Sequence, residues 1–230
     1  MAARPRNEAG ISLTGETFRK LTHLFALVGP LIAWLVGSVI AFYISFTALV
    51  ITVGADYFRV RSAGFKAFIE RYFGRMMRSH ELPAIGEPVI LNGATWTIMS
   101  FTILLLVFEL GIAITIFSAC MIGDGAAAMI GRRIGHHKWG RSGCSVEGSI
   151  AYFIFGVATA ILIGGGGLVS FAVFSYPIAA LVVGTSIGAL AEVAPIPLDD
   201  NLAAPVGAAI SMALVLELGY GIPLEYFLAF

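Results

Sequence analysis

The chain alternates long apolar runs with short polar segments. Residues 21–55 contain no Asp, Glu, Lys or Arg. At about 1.5 Å per residue this run is too long for one bilayer crossing of about 20 residues. Gly37-Ser38 is the natural break, giving helices over 21–36 and 39–55. Residues 94–130 repeat the pattern around Glu109-Leu110-Gly111, giving a third and a fourth helix. A fifth starts at Ser149 and ends at Gly164 to Gly167, a sixth runs from Ser170 to Leu190, and a seventh from Ala203 to Leu218. The expected fold class is all-α: one integral membrane domain over 1–230, polytopic, with about seven transmembrane helices.

One further segment has a different period. Phe65, Phe68, Ile69, Tyr72, Phe73, Met76 and Met77 recur at helical spacing, with Lys66, Arg71, Arg75 and Arg78 on the other face. An aromatic face opposite a basic one predicts an interfacial amphipathic helix lying in the headgroup layer, in preference to a packed connector.

Composition supports the membrane assignment. Of 230 residues, 58% are hydrophobic and 12% charged, against about 25% charged in soluble domains. The mean hydropathy is +0.91. The net charge is zero, which argues against a nucleic-acid partner. Two cysteines, Cys120 and Cys144, do not make a disulfide framework. Glu16, Arg19, Lys20 and His23 sit just before and inside the first apolar stretch, and no clean small-x-small cleavage site follows, so it is expected to be a retained helix and not a cleaved signal.

The charges are segregated. All 14 Lys and Arg residues fall in three segments: Arg4, Arg6, Arg19 and Lys20; then Arg59, Arg61, Lys66, Arg71, Arg75 and Arg78; then Arg132, Arg133, Lys138 and Arg141. With seven crossings these segments share one side, and the positive-inside rule makes it cytoplasmic. The N-terminus is then inside and the C-terminus outside.

Four polar groups sit at that side. Glu16, Arg19, Lys20 and His23 share a helix face. Asp56 and Arg59 are one turn apart, equally suited to a local ion pair or to a functional role. Asp124, flanked by Gly123 and Gly125 and followed by three alanines, lies near the bilayer edge, where a carboxylate is costly and functional by default. After it comes a glycine-rich basic loop with Gly131, Gly135, His136, His137, Lys138, Arg141 and Cys144, then Ser145, Glu147, Gly148 and Ser149 at the start of the next helix. Glycine amides, cations and a helix N-terminus suit a polyphosphate, although no P-loop signature occurs. Adjacent histidines without further ligands do not suggest a metal site. The fourth group is Glu192, Asp199, Asp200 and Asn201, followed by Pro205. Its hard oxygen donors suit Mg²⁺, and Asp200 or Asn201 could also cap the seventh helix. Together the groups fit a Mg²⁺–nucleotide site at a membrane surface.

These stations, in this order, resemble the CTP-dependent lipid-kinase family that includes dolichol kinase, phytol kinase and CTP-dependent diacylglycerol kinase. Glu16-x-x-Arg19-Lys20-x-x-His23 is similar to the family's opening motif. Asp56-x-x-Arg59 and Asn92-Gly93-Ala94-Thr95-Trp96 resemble weaker stations. Gly123-Asp124 with Gly131 and Gly135, then Ser145-x-Glu147-Gly148-Ser149, is the most specific stretch, and Asp199-Asp200-Asn201 with Pro205 closes the set. The family usually has Lys directly before that Ser, where this chain has Cys144.

The resemblance implies transfer of the γ-phosphoryl of CTP to a membrane lipid alcohol, with an isoprenoid alcohol favoured over diacylglycerol. Asp199 and Asp200, with Asp124, would hold Mg²⁺. Arg19, Lys20, Lys138 and Arg141 would neutralise phosphates, and His23, Gly131, Gly135, Ser145, Gly148, Ser149 and Asn201 would complete the nucleotide site. The general base is open among Asp124, Glu147 and Asp199. A CDP-diacylglycerol synthase is a rival whose C-terminal Lys-Asp and Gly-His-Gly-Gly signature is absent. A transporter is the non-enzymatic rival; it would want mid-membrane polar residues or internal repeats.

Overall fold

The computed structural model describes residues 24–74, 77, 81–139, 143–170 and 172–223. Among them are eight helices and no named strand: α1 Val28–Val36, α2 Ser38–Arg59, α3 Ala63–Phe73, α4 Gly93–Val107, α5 Leu110–Ile134, α6 Val146–Gly164, α7 Ile178–Val193 and α8 Asp200–Tyr220. The all-α expectation holds.

Local sequence sets most boundaries. Gly37, at φ +82°, ends α1 and starts α2, because few other residues adopt that backbone. Ser62, Asn92, Ser145 and Asp199 each accept backbone N–H groups at the starts of α3, α4, α6 and α8. Gly221 closes α8 in the left-handed conformation. The sixth apolar segment begins its helix at Ile178, eight residues later than expected. Residues 165–176 fold back instead, with Gly165 bridged to Ser175 and Phe174 N–H donating to Ile163 at 2.9 Å.

Length corrects the count of crossings. Four helices, α2, α5, α6 and α8, are long and apolar enough to span a membrane. Helix α1 has nine described residues, α4 fifteen and α7 sixteen, short of the roughly 20 that a crossing needs. The breaks expected at Gly37-Ser38 and Glu109 are present, but the helices they leave, and the one that starts only after Pro177, are shorter than a crossing.

The chain reverses between helices. Asp56 at the end of α2 meets Asn92 at the start of α4, and Asn201 at the start of α8 lies beside Gly93. At the opposite end Tyr176, ahead of α7, donates to Glu109, ahead of α5. Burial and that carboxylate push the Tyr176 phenol up from its ordinary pKa. Helix α5 is the centre of the bundle: 72% of its apolar window is buried, against 11% for α2. Ile112, Ile116, Phe117 and Cys120 pack there against Leu181, Met212 and Leu216.

Helix α3 is shorter than the predicted amphipathic segment, ending at Phe73. Its apolar residues divide between two surroundings. Phe68 and Tyr72 are exposed and in ring contact at 5.0 Å; Ile69 and the half-exposed Phe73, with Met77 beyond the helix, line a cavity that opens to the surface. Lys66 leaves the basic face to donate to Pro83 O at 2.8 Å and to pair with Glu70.

Candidate functional site

Three polar structures lie at one end of the bundle. The first locks α2 to α4. Asp56 and Arg59 are almost fully buried and paired at 2.9 Å. Asp56 also accepts Asn92 N–H at 3.1 Å, Asn92 Nδ2 at 2.8 Å and the Thr95 hydroxyl at 2.8 Å. Arg59 donates onward to Glu81 O at 2.6 Å and Ile90 O at 3.0 Å. A buried ion pair is retained when hydrogen bonds satisfy its remaining groups, as they do here for Asp56. The local-ion-pair reading of this motif therefore accounts for its geometry. The Glu81 carboxylate accepts Gly93 N–H at 3.2 Å, so the polar segment between α3 and α4 joins the same lock.

The second structure is a small cavity of about 10 Å³, on the scale of one water or ion, lined by Asp124 of α5, Tyr152 of α6, Glu192 of α7, and Asp200, Asn201 and Pro205 of α8. Four helices thus bring three carboxylates to one place. Small residues permit it. A Cβ at Gly123 would stand 2.8 Å from the Tyr152 ring, and one at Gly188 would stand 3.1 Å from the Tyr152 hydroxyl. Beside Gly125, by contrast, there is open space.

Asp199 is not among the lining residues. Its Oδ1 accepts Asn201 N–H at 3.0 Å and Asn201 Nδ2 at 2.7 Å, a helix cap on its own chain. Asp199 thus caps α8, and no group of three His, Cys, Asp or Glu close enough to cage an ion occurs among the described residues. Mg²⁺ typically takes one or two protein carboxylates and fills its sphere with water and substrate phosphates. Asp124 and Asp200 fit that more open role.

The third structure is the glycine-rich loop. Residues 137–139 pair with 144–146: Val146 N–H donates to His137 O at 2.8 Å, and Trp139 N–H to Cys144 O at 2.9 Å. Ser145 caps α6 by accepting Gly148 N–H at 3.0 Å. A Cβ on Gly131 would come within 2.7 Å of Ser145 Oγ, one on Gly135 would meet the same side chain, and one on Gly148 would stand 3.0 Å from Ala127 O. These glycines let the end of α5 and the start of α6 touch. Glu147 receives the amides of His136 and His137 at 3.2 Å and the His137 ring nitrogen at 2.7 Å. A carboxylate of the chain itself thus occupies the anion position that those amides make. Ser149 accepts the Trp139 indole N–H at 3.0 Å, and Lys138 is exposed. Arg19, Lys20, His23 and Arg141 lie outside the described residues.

Sequence reasoning passed over Glu81 and Tyr152. Glu81 stands in an irregular segment where no periodicity marks a role. Tyr152 sits in an apolar run, where an aromatic ring reads as core; a tyrosine in place of phenylalanine at that depth was the available signal.

No family model and no solved structure matches the chain. An uncharacterized protein of Rickettsia prowazekii (strain Madrid E) is 25% identical over 148 residues, covering 64% of this chain and 70% of that protein.

Proposed function

We propose that the protein is a membrane lipid kinase that moves the γ-phosphoryl group of CTP onto the hydroxyl of a membrane lipid alcohol, an isoprenoid alcohol in preference to diacylglycerol. The observation that carries this reading is the convergence of Asp124, Asp200 and Asn201 with Glu192 on one small cavity. It brings together two of the stations on which the resemblance to CTP-dependent lipid kinases rests, Gly123-Asp124 and Asp200-Asn201, from sequence positions far apart.

Phosphoryl transfer needs positioning and charge neutralisation more than covalent help from the protein. In this reading Asp124 and Asp200 present hard oxygens for Mg²⁺, which supplies neutralisation of the triphosphate. Asn201, fixed by Asp199, orients its amide at the junction with Gly93. Asp124 takes the alcohol proton, since Glu147 is held by the loop and Asp199 by its own helix. Arg132, Arg133 and Lys138, exposed at the end of α5 and in the loop, supply positive charge to the phosphates, a role the resemblance also gives Arg19, Lys20 and Arg141.

The polar end is cytoplasmic in this proposal, by the basic residues clustered there. Helices α2, α5, α6 and α8 cross the membrane in this reading, and the shorter α1, α4 and α7 pack beside them. Helix α3 lies in the headgroup layer.

The test is incubation of purified protein with Mg²⁺, γ-labelled CTP or ATP, and a panel of prenols and diacylglycerol. Label should move from CTP to a prenol. Transfer from ATP alone would keep the kinase and discard CTP; no transfer from either nucleotide to any alcohol would end the reading.

A further inference from the structure

A cavity of about 580 Å³ lies on the α1–α2–α3 side of α4, and it is long rather than round. Ala41, Ile44, Ala48, Thr52, Ala55 and Arg59 of α2 all line it, at the spacing of one helix face. At 1.5 Å per residue that stripe covers about 27 Å of helix axis. Ile32 of α1, Ile98 and Phe101 of α4, and Phe117 of α5 add apolar walls. The volume lies within the roughly 300–1,000 Å³ of ordinary small-molecule sites. The cavity also borders residues that face outward, since Ile44 and Phe73 are about half exposed, and α2 is long and apolar enough to span a membrane. A molecule dissolved in the bilayer can therefore reach it.

Most polar side chains of the wall are already partnered. Ser45 shares a hydrogen bond with Thr102 at 2.7 Å, and Thr52 and Thr97 donate to Leu49 O at 3.1 Å and Gly93 O at 2.9 Å. Asn92 donates to Asp56, and Glu81 accepts the Gly93 N–H. Arg59 differs. It is 1% exposed and lines the end of the stripe. Its Nη1 donates to Glu81 O and its Nη2 to Asp56 Oδ1 and Ile90 O. Its Nε–H is buried with no acceptor among the described residues. A buried donor on a charged group is costly to leave unmade, and a guanidinium cannot shed the proton to escape that cost. The occupant of the cavity can supply the acceptor.

We infer that this cavity binds a membrane lipid lengthwise, its hydrocarbon chain along the α2 stripe and an oxygen at the head of that chain accepting the Arg59 Nε–H. An alcohol, an ester or a phosphate oxygen can each accept that hydrogen bond. The inference does not rest on the kinase reading, because a structural lipid makes these contacts as well as a substrate does.

The test uses full-length protein in phosphatidylcholine nanodiscs. The probes are a long-chain alcohol, its methyl ester, its phosphate monoester and the matching alkane, each with a diazirine in the chain, and cross-links are mapped to peptides. Adducts should concentrate on cavity-lining positions of α2 and α4, and the best oxygen-bearing probe should label them about tenfold more strongly than the alkane. The ranking of alcohol, ester and phosphate tells which headgroup supplies the oxygen. The gap over the alkane should vanish in Asp56→Leu combined with Arg59→Met, which removes the donor and leaves no unpaired charge. Ala48→Trp, in the middle of the stripe, should weaken labelling by every probe. If either variant fails to fold, the comparison of probes on the unaltered protein and Ala94→Trp, at an exposed lining position, decide. An alkane that labels the lining as strongly as every oxygen-bearing probe would remove Arg59 from the site. Adducts spread over the outward residues Val39, Val50 and Ile51, or labelling indifferent to Ala94→Trp, would overturn the site itself.

Discussion

The α5–α6 seam and the α2–α4 side of the bundle carry polar motifs of similar appearance, yet they use them in opposite ways. At the seam, glycines remove side chains and the space is refilled at once by Ser145, Gly148 and the Ala127 carbonyl. Its backbone amides are taken by Glu147. On the other side, Asp56 is bonded by Arg59, Asn92 and Thr95 at once, and beside them lies a cavity of about 580 Å³. Glycine-rich sequence therefore marks the closed region, and a salt-bridge motif marks the border of the open one. The lesson is that a glycine's freedom can serve a facing helix as well as a ligand, and only the neighbour it meets tells which.

The sharpest way to break the comparison is to unlock α2 from α4. Asp56→Ala leaves Arg59 buried without its partner and should cost about 3–5 kcal/mol. Thermal unfolding in detergent should show a large drop. Asp56→Leu combined with Arg59→Met should recover most of it, because two apolar groups leave no charge behind. A stable Asp56→Ala single variant would mean the lock does not hold these helices.

The small cavity gives the next largest effect. Asp124→Asn and Asp200→Asn should each lower turnover roughly 10²- to 10³-fold while the protein still inserts. Asp199→Asn should cost little, because asparagine caps a helix about as well as aspartate does. That split separates a cap from a ligand. Equal losses at 199 and 200 would return Asp199 to the metal set, and near-normal activity in Asp124→Asn would remove that residue from the mechanism.

A smaller effect tests the seam. Gly148→Ala forces a methyl group against Ala127 O and Ser145 Oγ, both at 3.0 Å, and should destabilise by about 1–3 kcal/mol. Gly125→Ala enters open space within a helix and should be neutral or gain up to about 1 kcal/mol. Similar unfolding temperatures for the two variants would contradict the close packing of the α5–α6 seam.

Much of the fold was legible because apolar runs, turn glycines and caps are local signals. Seven apolar helices and the amphipathic one were all placed, and Gly37 was recognised as a break. The ends were less legible. Whether Gly165 to Tyr176 extends a helix or folds back depends on Phe174 and Tyr176 finding partners far along the chain, Glu109 among them. In the candidate site, Asp124 was found as a charge in apolar surroundings and Asp200 as one of a cluster of carboxylates, and the structure puts both on one cavity. Asp199 was indistinguishable from its neighbour, since both are aspartates at a helix start and only side-chain direction separates them. Glu81 had no pattern to betray it; its role comes from the Gly93 amide that it meets across the fold.

The smallest expected effect concerns Cys144, where the resembling family has lysine. The structure puts Cys144 at the joint of the loop and α7: its sulfur faces the Glu192 carbonyl at 4.0 Å, and it is half-buried. Cys120 is buried in α5 and lines the small cavity. A small polar maleimide should therefore modify Cys144 and leave Cys120 unmodified over the same time, read by intact-protein mass spectrometry. Nucleotide binding beside Glu192 would cover this joint, so Mg²⁺–CTP should slow the reaction by a few-fold. Cys144→Lys would add a cation near the carboxylate cavity and should be tolerated, with a lower KM for nucleotide if the triphosphate lies there. The seam remains closed in either case, because Ser145 and Gly148, not residue 144, fill it. Labelling of Cys144 unchanged by Mg²⁺–CTP, together with a Cys144→Lys variant of unaltered KM, would place the nucleotide away from this loop and leave the α5–α6 glycines with a packing role only.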